Sequence, residues 1–144
     1  MKQFPYIIKG KSFKDIRGEL VYNNDFDASQ IRRMYSITNS VERPVRGWQG
    51  HQIEKRWFSS SVGQVKIDVI KIDNWKVPDP KASIDSFLIF AQSGDVLFVP
   101  DGYITRISSL TENATILVFS DYLMGETQDD YKYDLDYFNS NTPM

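Results

Sequence analysis

Short runs of β-forming residues, separated by turn residues, recur along the chain and constrain its fold more than any other feature. The clearest run is 63–73, where Val65, Ile67 and Val69 alternate with polar residues, as expected for a strand with one buried face. Runs of the same kind lie at 18–23, 30–38, 45–50, 53–60, 86–92, 95–99, 103–108 and 114–120. About nine short strands with turns between them predict an all-β sandwich or barrel, and a jelly roll holds this number.

Two segments depart from the strand pattern. Residues 74–83 contain two prolines and are expected to form an irregular loop. Residues 127–138 are acidic and rich in tyrosine, and we expect a short C-terminal helix that packs aromatic side chains on the barrel. No internal repeat or linker divides the chain, and 144 residues are enough to bury one core. We therefore predict a single domain over residues 1–144.

Charge and composition exclude several classes of partner. The formal net charge is −2, so the chain has no global positive field to hold a nucleic acid or an anionic membrane. The sequence has no secretory signal and no run near the roughly 20 apolar residues of a membrane span, so a cytoplasmic location is expected. Cysteine is absent, which excludes disulfides, thiolate zinc sites and cysteine nucleophiles.

His51 is the only histidine in the chain, and this limits the chemistry that the sequence can support. A jelly-roll metalloenzyme needs two or three imidazoles together with a carboxylate, so we expect no bound metal. The sequence also lacks a Gly-x-Ser-x-Gly elbow and the glycine loops that cradle the phosphates of nucleotide cofactors. No cofactor is therefore predicted.

A dense group of functional side chains lies within the twelve positions 46–57: Arg46, Trp48, Gln49, His51, Lys55, Arg56 and Trp57. Alternate residues of a strand share a face, so Gln49 and His51 are expected to point the same way. Histidine titrates near neutral pH and can move a proton between carbons next to a ketone. The alternative is that His51 is an ordinary, partly buried histidine and that the cations are solvated.

Short motifs that stand in order between residues 13 and 138 resemble the sugar-nucleotide cupins, the family of the dTDP-4-dehydrorhamnose 3,5-epimerases and the dTDP-6-deoxyhexose 3,4-ketoisomerases. The matching segments are 15–18 (DIRG), 31–37 (IRRMYSI), 46–47 (RG), 99–103 (VPDGY), 113–118 (NATILV) and the tail from 120 to 138. The resemblance implies a cupin barrel, also called a double-stranded β-helix jelly roll, and a sugar-nucleotide ligand, dTDP-linked. It also implies a homodimer, for which residues 2–13 are the candidate strand exchanged between subunits.

Departures from the family pattern favour one activity over another. Gln49 stands where the epimerases have the base of an Arg-Gly-x-His motif, and Thr105 and Val118 stand where they have a further histidine and a catalytic tyrosine. The ketoisomerase motif resembles Arg-Gly-x-His-x-His, and only its second histidine is present, as His51. A metal-independent 3,4-ketoisomerase-like proton shuttle needs one base, whereas a 3,5-epimerase lacks both its base and its acid here.

The first hypothesis is therefore a nucleotide-linked deoxysugar isomerase of polysaccharide precursor synthesis. In it His51 removes a proton beside the ketone, an enediolate forms, and the proton returns to the neighbouring carbon. Arg46 and Lys55 are expected to stabilise the oxyanion or bind the diphosphate, because cations form strong hydrogen bonds to both.

The remaining assignments concern binding. We expect Gln49 and Tyr103 to orient the sugar, and Arg17 to reach the nucleotide. The second hypothesis uses the same pocket without catalysis: a sugar-nucleotide-binding cupin with a regulatory or assembly role. Incorporation of solvent deuterium into the sugar distinguishes the two hypotheses.

Overall fold

The computed structural model describes residues 2–138 and contains twelve β-strands and one 3₁₀ turn, Ala91–Ser93. The strands are β1 (Tyr6–Ile8), β2 (Lys11–Asp15), β3 (Gly18–Tyr22), β4 (Arg33–Thr38), β5 (Val45–His51), β6 (Arg56–Val62), β7 (Gln64–Lys71), β8 (Asp85–Phe90), β9 (Val96–Val99), β10 (Tyr103–Ser109), β11 (Thr115–Ser120) and β12 (Tyr131–Lys132). The nine runs predicted from the sequence correspond to β3 through β11. No helix in the described range is long and apolar enough to cross a membrane.

The strands form two five-stranded sheets and one separate hairpin. The first sheet has the order β1-β9-β6-β11-β4, and the second has the order β12-β5-β10-β7-β8. Every described pairing is antiparallel, and most neighbours are distant in sequence, which is the pattern of a jelly roll. β2 and β3 pair only with each other. The all-β prediction is confirmed.

The predicted C-terminal helix at residues 127–138 is wrong. The segment instead forms β12, which pairs with Gly50 and Gln49 of β5, and the N–H of Tyr133 donates to the carbonyl of Trp48. The edge of β5 presents backbone groups that an extended segment can pair with, and a helix cannot do so. Aspartate and tyrosine are also weak helix formers, so local propensity does not resist the extended conformation.

The main core fills the space between the two sheets. β7 contributes Val65, Ile67 and Val69, all at most 1% exposed, which confirms the alternation read from the sequence. Phe58 of β6 and Ile116 of β11 close the core from the first sheet. These side chains fill only part of the interior. A cavity remains between β4, β5, β6 and β10.

The outer face of the second sheet is covered by the chain's own loop and tail. Trp48, Ile70 and Ile104 pack there against Phe138, and the Trp48 and Phe138 rings meet edge to face at 5.5 Å. The predicted irregular loop at 74–83 contains no strand or helix, and one of its main-chain carbonyls accepts a hydrogen bond from the Tyr133 hydroxyl. This packing anchors the C-terminal segment against β5, the strand that carries His51.

Candidate functional site

A cavity of about 610 Å³ opens between the two sheets. Its walls come from β4, β5, β6, β10 and the segment 124–130 that precedes β12. The lining is unusually rich in ionisable side chains, which are Arg33, Tyr35, Arg46, His51, Glu54, Arg56, Asp129 and Asp130. Charged groups of both signs in one concave site are typical of a binding or catalytic pocket rather than of a packed core.

Strand β5 places three of the predicted residues on this cavity. Gln49 of β5 lies opposite Thr105 of β10, and Arg46 lies opposite Ile107. Between these two pairs β5 has two residues, whereas β10 has only Arg106. This irregularity is a β-bulge, which shifts the alternation of side chains by one position. As a result Arg46 lines the cavity together with Gln49 and His51.

His51 is held in one orientation by the C-terminal segment. Its Nδ1 lies 3.2 Å from the main-chain oxygen of Asp129 and 3.3 Å from Oδ1 of the same residue. A carbonyl oxygen only accepts, so Nδ1 carries the proton and Nε2 keeps its lone pair. Nε2 makes no hydrogen bond within residues 2–138, although Glu54 Oε2 lies 3.3 Å away. The ring thus presents a free basic nitrogen in a residue that lines the cavity.

The charge state of His51 follows from its surroundings. Burial lowers the pKa of His51, and the nearby Arg56 guanidinium lowers it further, while Glu54 and Asp129 act in the opposite direction. The net result is a pKa below the usual value of 6.5. His51 is therefore neutral at pH 7, which is the state that a general base requires.

Asp129 fastens the tail to the loop after β5. Its Oδ2 accepts hydrogen bonds from the main-chain N–H groups of Ile53 and Glu54 at 2.7 and 3.2 Å, and its Oδ1 accepts from the Thr127 hydroxyl at 2.8 Å. Burial opposes ionisation of Asp129, but these hydrogen bonds and the neighbouring His51 outweigh it and hold the pKa of Asp129 below its usual range. A charged Asp129 therefore fixes both the loop and the imidazole.

Arg56 is the cation beside His51. It is 4% exposed, and its guanidinium donates to Thr105 Oγ1 at 3.2 Å and to the Tyr103 carbonyl at 3.5 Å. The same group lies 5.2 Å from the centre of the Phe58 ring. Burial lowers the pKa of Arg56, yet a guanidinium stays protonated in proteins. It supplies a fixed positive charge at the cavity, close to His51.

The other predicted residues do not line the cavity. Lys55 forms an ion pair with Asp121 at 3.7 Å. Arg17 lies at the turn of the β2–β3 hairpin and pairs with Asp15 at 2.7 Å. Tyr103 packs in the main core, where burial, with a smaller contribution from Asp85, raises the pKa of its hydroxyl.

Sequence reasoning missed Arg33, Glu54 and Asp129 as site residues. Arg33 and Glu54 join through an ion pair of 2.9 Å between Arg33 Nη1 and Glu54 Oε1. Asp129 is 78 residues from His51, and no local pattern signals a contact over that separation. Arg56 stood within the dense segment 46–57, but nothing in the sequence ranked it above its neighbour Lys55.

His51, Glu54 and Asp129 could together hold a metal ion, because one potential ligand atom of each lies within 4.8 Å of the other two. Their donor atoms are largely used, however. Asp129 accepts from two main-chain N–H groups and from Thr127, and Glu54 Oε1 accepts from Arg33. The Arg56 charge acts on the same imidazole and opposes a further cation there. We do not assign these residues as metal ligands.

Comparison of the sequence with family models and with curated proteins finds no match. Comparison of the structure does. The 3,4-ketoisomerase QdtA of Thermoanaerobacterium thermosaccharolyticum, a histidine-to-asparagine mutant in complex with TDP-4-keto-6-deoxyglucose, superposes with a TM-score of 0.67 at 24% identity, covering 98% of this chain and 96% of that chain. The TDP-quinovose 3,4-ketoisomerase WlaRB of Campylobacter jejuni gives 0.67 at 15% identity, covering 94% and 97%.

Epimerases match over a smaller share of their length. ChmJ, a 3'-monoepimerase of Streptomyces bikiniensis in complex with dTDP-quinovose, gives a TM-score of 0.69 at 13% identity, and 89% of this chain covers 68% of that one. At such identities the likeness establishes the fold. The chain has the cupin fold of these dTDP-sugar 3,4-ketoisomerases and epimerases.

Proposed function

We propose that this protein is a sugar-nucleotide isomerase that works as a 3,4-ketoisomerase in the cytoplasm, in the synthesis of polysaccharide precursors. One observation carries the proposal: a neutral imidazole, locked by Asp129 through Nδ1, has a free Nε2 and lines a cavity of about 610 Å³. The cupin fold shared with ketoisomerases over nearly the whole of both chains supports the same activity.

The reaction needs one base and one positive charge. Nε2 of His51 takes the proton from the carbon that bears the hydroxyl next to the ketone, and the ketone oxygen becomes the oxygen of an enediolate. The hydroxyl proton then passes to that oxygen, and the imidazolium returns its proton to the neighbouring carbon. The ketone has moved by one position and His51 is neutral again. In this proposal Arg56 stabilises the enediolate, a role that the sequence suggested for Arg46 and Lys55.

Arg46 is the best candidate for the diphosphate. Its side chain is exposed, lines the cavity and forms no ion pair within residues 2–138. A free guanidinium can bind two phosphate oxygens at once. Gln49 also lines the cavity and donates to Asp130 at 2.7 Å, which supports its role in orienting the sugar. Tyr103, which the sequence suggested as a residue that orients the sugar, is proposed instead to support Arg56 through its main-chain carbonyl.

A homodimer is part of the proposal. β1 pairs with β9 of the same chain, so residues 2–13 are not all free for exchange. The β2–β3 hairpin instead carries exposed Phe13 and Leu20 and joins neither sheet. Exchange of this hairpin would cover those side chains and would carry Arg17 towards the partner subunit, which is how we propose that Arg17 reaches the nucleotide.

The alternative is a binding module that has lost catalysis. Gln49 cannot act as a base, Thr105 accepts a hydrogen bond from Arg56, and Val118 lies in the core, so the epimerase acid and base are missing. The isomerase and the binding module therefore differ in whether His51 transfers a proton.

The test is incubation of the full-length protein with dTDP-4-keto-6-deoxyglucose in deuterated water, followed by NMR of the sugar. The isomerase incorporates deuterium and accumulates the 3-keto isomer, and His51→Asn slows this by about 10²–10⁴-fold, the usual loss of a general base. Binding of the nucleotide sugar without exchange would overturn the isomerase and support the module. If the His51→Asn variant turns over at the wild-type rate, the assignment of His51 as the base is refuted.

A further inference from the structure

We propose that Glu54 is a positioning residue for His51, whose carboxylate stabilises the imidazolium formed when Nε2 accepts a proton. The contact between the two side chains is independent of the substrate, whereas its effect on turnover rests on the proposed isomerase function.

The geometry fits this role closely. Glu54 Oε2 lies 3.3 Å from His51 Nε2, and both side chains are less than 10% exposed. Oε2 is buried and has no hydrogen-bond partner within residues 2–138, which is an unfavourable state for a carboxylate oxygen. A proton on Nε2 creates a positive charge next to this oxygen and removes the penalty. The buried oxygen is thus matched to the protonated state of the base.

The carboxylate is prevented from turning away. Arg33 Nη1 donates to Glu54 Oε1 at 2.9 Å, the Thr127 hydroxyl donates to the same oxygen at 3.4 Å, and the Glu54 main-chain N–H is held by Asp129. With Oε1 fixed from two sides, Oε2 stays beside the imidazole. Glu54 lines the cavity, but its Oε2 is buried beside the imidazole, so this oxygen acts through His51.

The charges around His51 show why such a group is needed. Burial and the positive charge of Arg56 disfavour the imidazolium, and Asp129 and Glu54 favour it. Arg33 partly neutralises Glu54, while Tyr35 and Asp130 line the cavity and interact with Arg56. Without Glu54, Asp129 alone would oppose burial and Arg56, and His51 would be a weaker base.

The chain offers a direct test, since His51 is its only histidine and its NMR signals need no assignment. We expect Glu54→Gln to shift the titration of His51 downward by about one unit or more, the usual effect of losing an opposite charge within about 6 Å. Glu54→Asp keeps the charge but withdraws it by one methylene, so its titration should fall between the two. If Glu54→Gln does not fold, the comparison of Glu54→Asp with wild type decides. The proposal is overturned if His51 titrates in the folded variants as it does in the wild type.

Asp68→Asn is the matched control. Asp68 is 1% exposed and pairs with Arg106 at 2.8 Å, so the variant also breaks a buried carboxylate–arginine pair, but one that does not line the cavity. It should leave the titration of His51 and the turnover unchanged. A downward shift as large in Asp68→Asn as in Glu54→Gln would show a general loss of structure and overturn the role of Glu54.

Turnover separates this proposal from the function on which its kinetic part rests. Under the isomerase proposal, Glu54→Gln should lower kcat by about 10-fold or more and leave the affinity for dTDP within twofold, because a base tenfold weaker removes protons more slowly. Wild-type protein without any turnover refutes the isomerase, while the shifted titration of Glu54→Gln would still stand. Wild-type turnover in Glu54→Gln with an unshifted titration refutes the role of Glu54 alone.

Discussion

Lys55 and Arg56 are consecutive in the sequence, yet only Arg56 lines the cavity, while Lys55 Nζ forms an ion pair with Asp121 Oδ2 at 3.7 Å. Arg56 is the first residue of β6, and Lys55 belongs to the loop that precedes this strand. A cation can therefore contact a ligand in the cavity only if its side chain lines the cavity, as those of Arg56 and Arg46 do.

Arg46→Ala should weaken binding of dTDP or a dTDP-sugar by about 10-fold or more, since it removes a cavity-lining guanidinium that forms no ion pair within residues 2–138. Lys55→Ala removes the same charge from a nearby position outside the lining and serves as the control, with a change below about threefold expected. Isothermal titration calorimetry at constant salt measures both. Equal losses in the two variants would contradict the placement of the diphosphate at Arg46.

The stability of the protein should depend on pH through His51. The pKa of His51 is lower in the folded protein than its usual value of 6.5, so the unfolded chain takes up the proton first as the pH falls. Stability should therefore be highest above pH 6.5 and fall as the pH drops from there towards the folded pKa. His51→Asn should flatten this dependence. Urea unfolding between pH 8 and pH 5 tests it, and parallel curves for the two proteins would contradict it.

Asp129→Asn should destabilise the protein by about 1–3 kcal/mol, because one amide oxygen replaces two charged acceptors and the amide NH2 would face the Nδ1–H group of His51. The pKa of Asp129 is lowered in the folded state, so its contribution is present above the ordinary value of 3.8 and is lost as the pH falls below it. The difference between wild type and variant should thus shrink below pH 4. Thermal unfolding at pH 7 and pH 3 measures this, and a difference that grows in acid would refute it.

Deletion of residues 11–22 should convert the proposed dimer into a monomer. The two ends of the β2–β3 hairpin are held together, since Asn23 Nδ2 donates to the carbonyls of Ile8 and Gly94 at 2.9 and 3.0 Å, so the chain can be closed there. Light scattering at micromolar concentration gives the masses. A monomeric wild type would refute the dimer, and a dimeric deletion variant would refute the role of the hairpin.

The purified protein should contain far less than one transition metal per chain and should lose no activity to a chelator. His51, Glu54 and Asp129 lie close together, but both Asp129 oxygens and Glu54 Oε1 already accept hydrogen bonds, and the charge of Arg56 beside His51 opposes a further cation at the remaining oxygen, Glu54 Oε2. Elemental analysis after dialysis measures the content. One bound metal per chain would contradict the prediction and would require reassignment of these three side chains.

Local patterns in the sequence were sufficient for the strands and for one face of the site. The alternation of Val65, Ile67 and Val69 predicts a strand because a pleated backbone exposes every second residue to the core. The same rule placed Gln49 and His51 on one face, and both line the cavity. The absence of a second histidine is likewise a property of composition and restricts the chemistry before any fold is known.

Tertiary structure alone decided the rest of the site. The bulge opposite Arg106 brings Arg46 to the cavity against the simple alternation, and it depends on the register between β5 and β10. The tail formed β12 because the edge of β5 was available to pair with it, which local propensity does not encode. Asp129 contacts His51, 78 positions away, only because that pairing carries the segment before β12 to the loop after β5, in which Glu54 lies three residues beyond His51. Contacts over such separations arise from packing, and no local window of sequence contains them.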